Sequence, residues 1–199
     1  MSQTVALNRP RPIVLADLVP GALARDIALV AGGAGFVGLL AQVAVHIPGT
    51  PVPITGQTLG VLLIGAAYGM RRAAATIALY AVAGVLGVPW FTGHGSGYAG
   101  ASFGYVVGFF LAATLCGFLA ERGADRSVPR SVAAMLAGEV LIYGAGLAWL
   151  AVAADLTLSQ TISQGLTPFL LGDAVKAALA AGLLPAAWAL AGRRSRRSA

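Results

Sequence analysis

Lysine and glutamate, which normally supply much of a soluble surface, are almost missing from this chain. Among 199 residues there is one lysine, Lys176, and two glutamates, Glu121 and Glu139. Charged residues of all kinds make up 10%, where a soluble domain averages about 25%. That shortage excludes an ordinary water-facing globule. Cysteine is nearly absent too. Cys116 stands alone inside an apolar run, so no disulfide assigns a compartment, and a small apolar filler describes it better than a nucleophile. His46 and His94, the only histidines, make no metal site. No G-x-x-x-x-G-K-[ST] run occurs, so energy from ATP has to come from another chain. Paired catalytic aspartates, H-E-x-x-H and a Ser/His pair within the apolar runs are also missing, which ranks an intramembrane enzyme last. Alternating strands of the outer-membrane type are absent.

What is present is apolar: 58% hydrophobic residues and a mean hydropathy of +0.82. A hydrocarbon core of roughly 30 Å takes about 20 apolar residues per helix, and the chain reads as an all-α integral membrane protein. The expected spans are Ile27–Ile47, Leu59–Met70, Ala73–Val88, Phe103–Ala120, Val132–Ala154 and Leu166–Ala191. These give a six-helix bundle in one domain (27–191), between an N-terminal segment (1–26) and a basic tail (192–199). Ile27–Ile47 is longer than the apolar part of a signal peptide, and no A-x-A site follows it.

Basic residues set the topology. Twelve of the thirteen Lys/Arg fall in the N-terminal segment (Arg9, Arg11, Arg25), the second–third turn (Arg71, Arg72), the fourth–fifth loop (Arg122, Arg126, Arg130) and the tail (Arg193, Arg194, Arg196, Arg197). Those are alternate ends of six spans. By the positive-inside rule both termini are cytoplasmic, and segments 48–58, 89–102 and 155–165, which hold no Lys or Arg, face outside. The net charge of +6 is therefore a topology signal. No aromatics lie among the arginines, so nucleic acid is not the partner. The tail GRRSRR suits anionic lipid head groups.

The outward segments carry the candidate site. In HIPGTPVPITGQTLG (46–60), Pro48, Pro51 and Pro53 keep the chain extended and oppose helix, as a lid over a cavity requires. Gln57 and Thr58 follow where the second helix begins. In GVPWFTGHGSGYAGASFGYVVGF (87–109) the aromatics Trp90, Phe91, Tyr98, Phe103 and Tyr105 cluster among glycines. They read either as an interfacial belt or as an apolar wall for a ligand. The run 95–100 fits G-x-G-x-x-G but follows no strand of a βαβ unit, so the dinucleotide reading fails. The third segment, 154–168, is polar and leads into PFLLGDAVKAAL.

That last stretch sets Asp173 and Lys176 in an apolar helix, three apart and on one face. Ionisable groups in the membrane cost about 2.5–3.5 kcal/mol each on insertion scales and usually mark function. These two begin roughly 9 Å below the outer loop at 1.5 Å per residue, on the floor of an outward pocket. Asp offers acceptors to a ligand N–H, and Lys a donor to a carbonyl or carboxylate. An internal ion pair that only packs helices is the plainer account. Glu139 and Tyr143 share a face of the fifth helix, with Glu139 nearer the cytoplasm.

The stretches PVPITGQTLGVLLIGAAYG (51–69), YAVAGVLGVPWF (80–91), SFGYVVGFFLAA (102–113), GEVLIYGAGLAWL (138–150) and PFLLGDAVKAALAA (168–181) resemble BioY, the substrate-binding S component of biotin transporters of the energy-coupling factor (ECF) class. The resemblance implies six helices, cytoplasmic termini and a biotin pocket open to the outside, with biotin as substrate and no cofactor. It implies that Asp173 accepts from a ureido N–H and that Lys176 donates to the ureido carbonyl or the valerate carboxylate. Trp90, Phe91, Tyr105 and Tyr143 would line the ring and chain, and the loop bearing Thr55 and Gln57 would close over them. Partners would be a transmembrane coupling subunit and an ATPase pair. Docking on the former would use small residues of the first helix: Ala24/Ala28, Ala28/Gly32 and Ala31/Gly35. One departure is Gly100-Ala-Ser-Phe-Gly-Tyr105, where the family often has G-P-T-G-G-Y; Phe103 narrows that spot. The rival reading is an ion-coupled carrier for a small vitamin-like solute, with Glu139, Asp173 and Lys176 as a proton relay.

Overall fold

The computed structural model describes residues 14–21 and 23–197, with side chains as far as 191. Arg9, Arg11 and the side chains of the basic tail lie outside the described residues. Among the described residues there are seven α-helices: α1 (Leu23–Gln42), α2 (Gln57–Tyr68), α3 (Met70–Val85), α4 (Phe103–Ala120), α5 (Val128–Ala153), α6 (Leu158–Gly165) and α7 (Leu170–Arg197). Four of these, α1, α4, α5 and α7, are long and apolar enough to cross a membrane.

Two elements differ from the sequence expectation. The first span ends at Gln42 instead of Ile47, and the chain forms a small antiparallel hairpin, β1 (Ala44–Val45) with β2 (Ile54–Thr55). The prolines occupy its loop, as the lack of a Pro N–H requires. The segment 155–165, expected to face outside, contains a short helix, α6. Thr157 caps that helix: its hydroxyl accepts from Gln160 N, and Gln160 Oε1 accepts from Thr157 N at 2.9 Å. This is the reciprocal capping box.

α4 is the central helix, packed on α2, α3 and α5. Small residues let it come close. A Cβ on Gly117 would lie 2.5 Å from Met70 N, one on Gly108 2.7 Å from the Ile142 backbone, and one on Gly65 2.9 Å from Ala113 O. Close backbone approach of this kind is how helices associate where lipid removes the hydrophobic drive. α1 and α7 lie at the periphery. They expose Leu23, Leu39, Leu171 and Leu183, an arrangement that lipid accommodates and water does not.

The two ends differ chemically. At one end Arg72 bridges Asp17 and Asp26 at 2.8 and 2.9 Å, and Glu121 Oε1 accepts from Met70 N at 2.9 Å. Gly69 makes the abrupt α2–α3 turn at φ +80°, a region that favours glycine. Asp125, on the 3-10 turn Ala124–Arg126, is buried there and accepts from Trp188 Nε1. Burial pushes its carboxyl above the usual range. The Arg126 guanidinium lies over the Trp188 ring. The other end holds the hairpin, loop 86–102 and α6. Gln42 Nε2 reaches the Trp90 and Phe91 carbonyls, each at 3.1 Å, and Thr50 Oγ1 donates to Gln164 O at 2.7 Å.

α2 matters most for the site. Its 12 residues span about 18 Å, well short of a ~30 Å core. Its N-terminus therefore begins inside the bundle, beside α7, and the hairpin fills the space above.

Candidate functional site

A cavity of about 170 Å³ opens where α2, α3, α4, α5 and α7 converge under the hairpin. Its charged floor comes from α7. Asp173 and Lys176 form an ion pair at 2.8 Å, one turn apart, with side chains 7% and 15% exposed. The ammonium spends its other two donors on Thr58 Oγ1 (2.9 Å) and Thr55 O (2.7 Å). Lys176 thus ties α7 to the hairpin. The carboxylate is also held from three sides. Oδ1 accepts from Lys176 and from Thr58 Oγ1 (3.1 Å), and Oδ2 accepts from the Tyr143 hydroxyl. A carboxylate has about four lone-pair sites. One acceptor position on Oδ2 is left to a ligand donor, whereas all three Lys176 hydrogens are engaged.

A second polar group faces it. Gln57, 4% exposed, donates through Nε2 to Tyr80 Oη at 2.7 Å, and its Oε1 accepts from Thr55 Oγ1 (3.2 Å) and Thr92 Oγ1 (3.4 Å). The apolar walls are aromatic. Tyr105 stands edge-on to Tyr143 at 6.4 Å and tilted against Phe169 at 6.3 Å. Its hydroxyl donates to Gly165 O at 2.7 Å, so α6 fixes the ring. Phe91 packs edge-on to Tyr80 at 5.2 Å. Three rings rest on bare glycine backbone: a side chain at Gly84 would collide with Phe91, one at Gly146 with Tyr105, and one at Gly104 with Trp149. The glycine run 95–100, which is no dinucleotide fingerprint, lends Gly95, Gly97 and Gly100 to the wall.

Of the eight ligand candidates, Asp173, Lys176, Phe91, Tyr105, Tyr143, Thr55 and Gln57 line the cavity. Trp90 does not. Its indole N–H donates to Tyr80 O at 2.9 Å, and its ring lies against Tyr80 and Gly38. It braces the wall from behind. Tyr80 and Phe169 line the cavity without having been singled out. Thr76 and Tyr80, both fully buried on α3, form an i,i+4 polar pair that marks an inward stripe. Phe169 directly precedes the acidic motif. The small-residue pairs of α1 point away from the site. Ala24, Ala28, Ala31 and Gly32 are exposed, Gly35 partly so, and nothing lies within 4 Å of a Cβ on either glycine. Glu139, one turn from Tyr143, is 7% exposed and does not line the cavity.

A polytopic helical bundle with a buried polar–aromatic cavity at one end defines a membrane protein whose pocket suits a small, partly apolar solute bearing hydrogen-bond donors. Comparison with known proteins narrows that class. The BioY family model matches residues 8–193, and the chain belongs to the BioY family, a family of transporters and not of enzymes. The biotin transporter BioY of Rhizobium etli is 33% identical over 79% of this chain and 89% of its own length. BioY2 of Lactococcus lactis subsp. cremoris is 33% identical over 77% and 85%, and the probable biotin transporter BioY of Pyrococcus horikoshii 33% over 79% and 92%. The fold is that of the crystallised S component for biotin from an ECF-type ABC transporter, with a TM-score of 0.73, 23% identity and coverage of 81% and 89%. The chain is a multi-pass protein of the cell membrane.

Proposed function

We propose that this chain captures biotin from the outer side of the membrane and delivers it inward as the substrate-specific component of an ECF-type transporter. The observation that carries this reading is the Asp173–Lys176–Thr58–Tyr143 cluster beneath a ring of aromatics. It leaves one charged acceptor position free at the floor, as a ureido N–H requires. Tyr105, Tyr143 and Phe91 cover the ring system and chain, and the hairpin bearing Thr55, with Gln57 just after it, closes above. Lys176 meets the ligand by exchanging one of its present acceptors for a ligand oxygen.

The membrane arrangement follows from the arginines at the end opposite the cavity. Six segments cross or enter the bilayer, α6 lies at the outer face, and residues 1–26 and 192–199 are cytoplasmic. Biotin is the substrate and no cofactor is needed. The exposed stripe Ala24, Ala28, Ala31, Gly32 and Gly35 docks the transmembrane coupling subunit, whose ATPase pair supplies the energy, and lipid covers the rest.

The test is direct binding. Detergent-purified protein should bind biotin saturably and tightly, and Ala28→Trp should lose the coupling subunit in co-purification while keeping biotin. No saturable binding would remove biotin from the reading. The rival carrier reading gains only if uptake collapses with an uncoupler while ATP is held constant.

A further inference from the structure

Glu139 is buried in the bundle with both carboxyl oxygens lacking a hydrogen-bond partner. The groups that face it explain why none is found. On its own helix, Tyr143 is one turn away, and its hydroxyl is committed to Asp173. α4 presents Cys116, whose thiol donates to Ala134 O at 3.4 Å. α7 presents Asp173 and Lys176, both within electrostatic reach, but these are paired with each other. α2 packs Leu62 against the neighbouring Gly138 and carries no charged residue. A bare carboxylate in such a place is costly, and no described donor relieves it.

The charge balance of the cavity gives the carboxyl a use. Asp173 and Lys176 neutralise each other, and every hydrogen of the ammonium is engaged. A ligand that brings its own carboxylate adds one negative charge to a low-dielectric compartment whose one cation among the described lining residues, Lys176, is already paired. We propose that Glu139 is a proton-binding site coupled to the cavity: at a pH where it is ionised in the empty bundle, it takes up a proton from bulk water when an anionic ligand enters. The carboxylate becomes a carboxylic acid, no other bond changes, and ligand and proton enter the bundle together.

This rests on biotin as the ligand, and the test separates the two claims. Biotin is titrated calorimetrically into the purified full chain in buffers of differing ionisation enthalpy, from neutral to alkaline pH. The wild type should take up protons, approaching one per biotin as pH rises, with affinity falling by up to about tenfold per pH unit. Glu139→Gln should bind biotin with no linked uptake and a flat pH profile. Uptake that persists in Glu139→Gln, or wild-type binding without proton exchange, overturns the proton site alone. Absence of any binding overturns the biotin reading and this one with it. A second readout leaves Glu139 itself unchanged. The chain has only two glutamates, Glu121 and Glu139, so ¹³C-glutamate labelling is almost site-specific. Biotin should raise a protonated-carboxyl infrared band that shifts with the label and persists in Glu121→Gln. A band that ignores the label refutes the proposal.

Discussion

Replacing Asp173 by asparagine tests the site at its centre. The side chains have nearly the same shape, so what changes is charge and the character of one atom. In the wild type Oδ1 accepts from Lys176 and Thr58, and Oδ2 accepts from Tyr143 with one position to spare. Suppose the asparagine carbonyl keeps the Lys176 and Thr58 side. The amide nitrogen then stands where Oδ2 was, and a donor faces the ligand N–H. Flipping the amide only moves the conflict to Lys176. The loss is one hydrogen bond to a charged acceptor, about 1.5–3 kcal/mol. That converts to roughly ten- to 150-fold in Kd. The same change strands a half-buried ammonium without its counter-ion. Removing one partner of a buried pair costs about 3–5 kcal/mol; with Lys176 at 15% exposure, the low end applies. Biotin titration by calorimetry and thermal unfolding in the same detergent read the two effects separately. A Kd within threefold of wild type, with the protein folded, would refute the assignment of Asp173 as the ligand acceptor.

Gly146→Ala puts a Cβ 2.5 Å from the Tyr105 ring, which the Gly165 carbonyl pins at its hydroxyl. Overpacking of about 1–3 kcal/mol should lower the melting temperature and weaken biotin binding together, and an unchanged pair of values would sink the idea. Lys176→Met removes the tie from α7 to Thr55 O; amides of the hairpin and its loop should exchange faster by mass spectrometry, and equal protection would show that the tie does not hold the hairpin. For Asp125 the sign is set by burial. Its folded carboxyl titrates above the ordinary 3.8, so the folded state holds a proton that the unfolded chain has released, and stability falls as pH rises through that window. Asp125→Asn still accepts from Trp188 and never ionises. Its melting temperature relative to wild type should therefore rise from acidic to neutral pH, and a pH-independent difference would contradict this.

Much of the arrangement could be read from residue types alone. Scarcity of lysine and glutamate established the membrane class, and the arginines separated two ends of the bundle. The i,i+3 spacing of Asp173 and Lys176 put both on one face, where they now form the cavity floor. Short-range details escaped for physical reasons. Two-residue strands are too brief to show alternation, so the hairpin was hidden within a proline-rich loop. Thr157 and Gln160 carry a capping box, yet the eight residues of α6 are too few and too polar to stand out as a helix. Trp90 and Phe91 are neighbours of similar character. Which one faces inward depends on Gly84, seven residues before Phe91, and on Gly38, on a different helix far off in sequence. Tyr80 needed its partner, Gln57, to be seen in space.

The glycines under Phe91 and Tyr105 have a consequence for how this pocket changes shape. Each ring and its glycine divide one parcel of space between them, and the ring holds nearly all of it. Truncating an aromatic therefore opens a trench that runs down to the main chain of the neighbouring helix, because no second layer of side chain lies beneath. Enlarging the glycine does the reverse and expels the ring towards the ligand. Single substitutions here should alter capacity in large steps, and finer adjustment of ligand size requires both members of a pair to change at once.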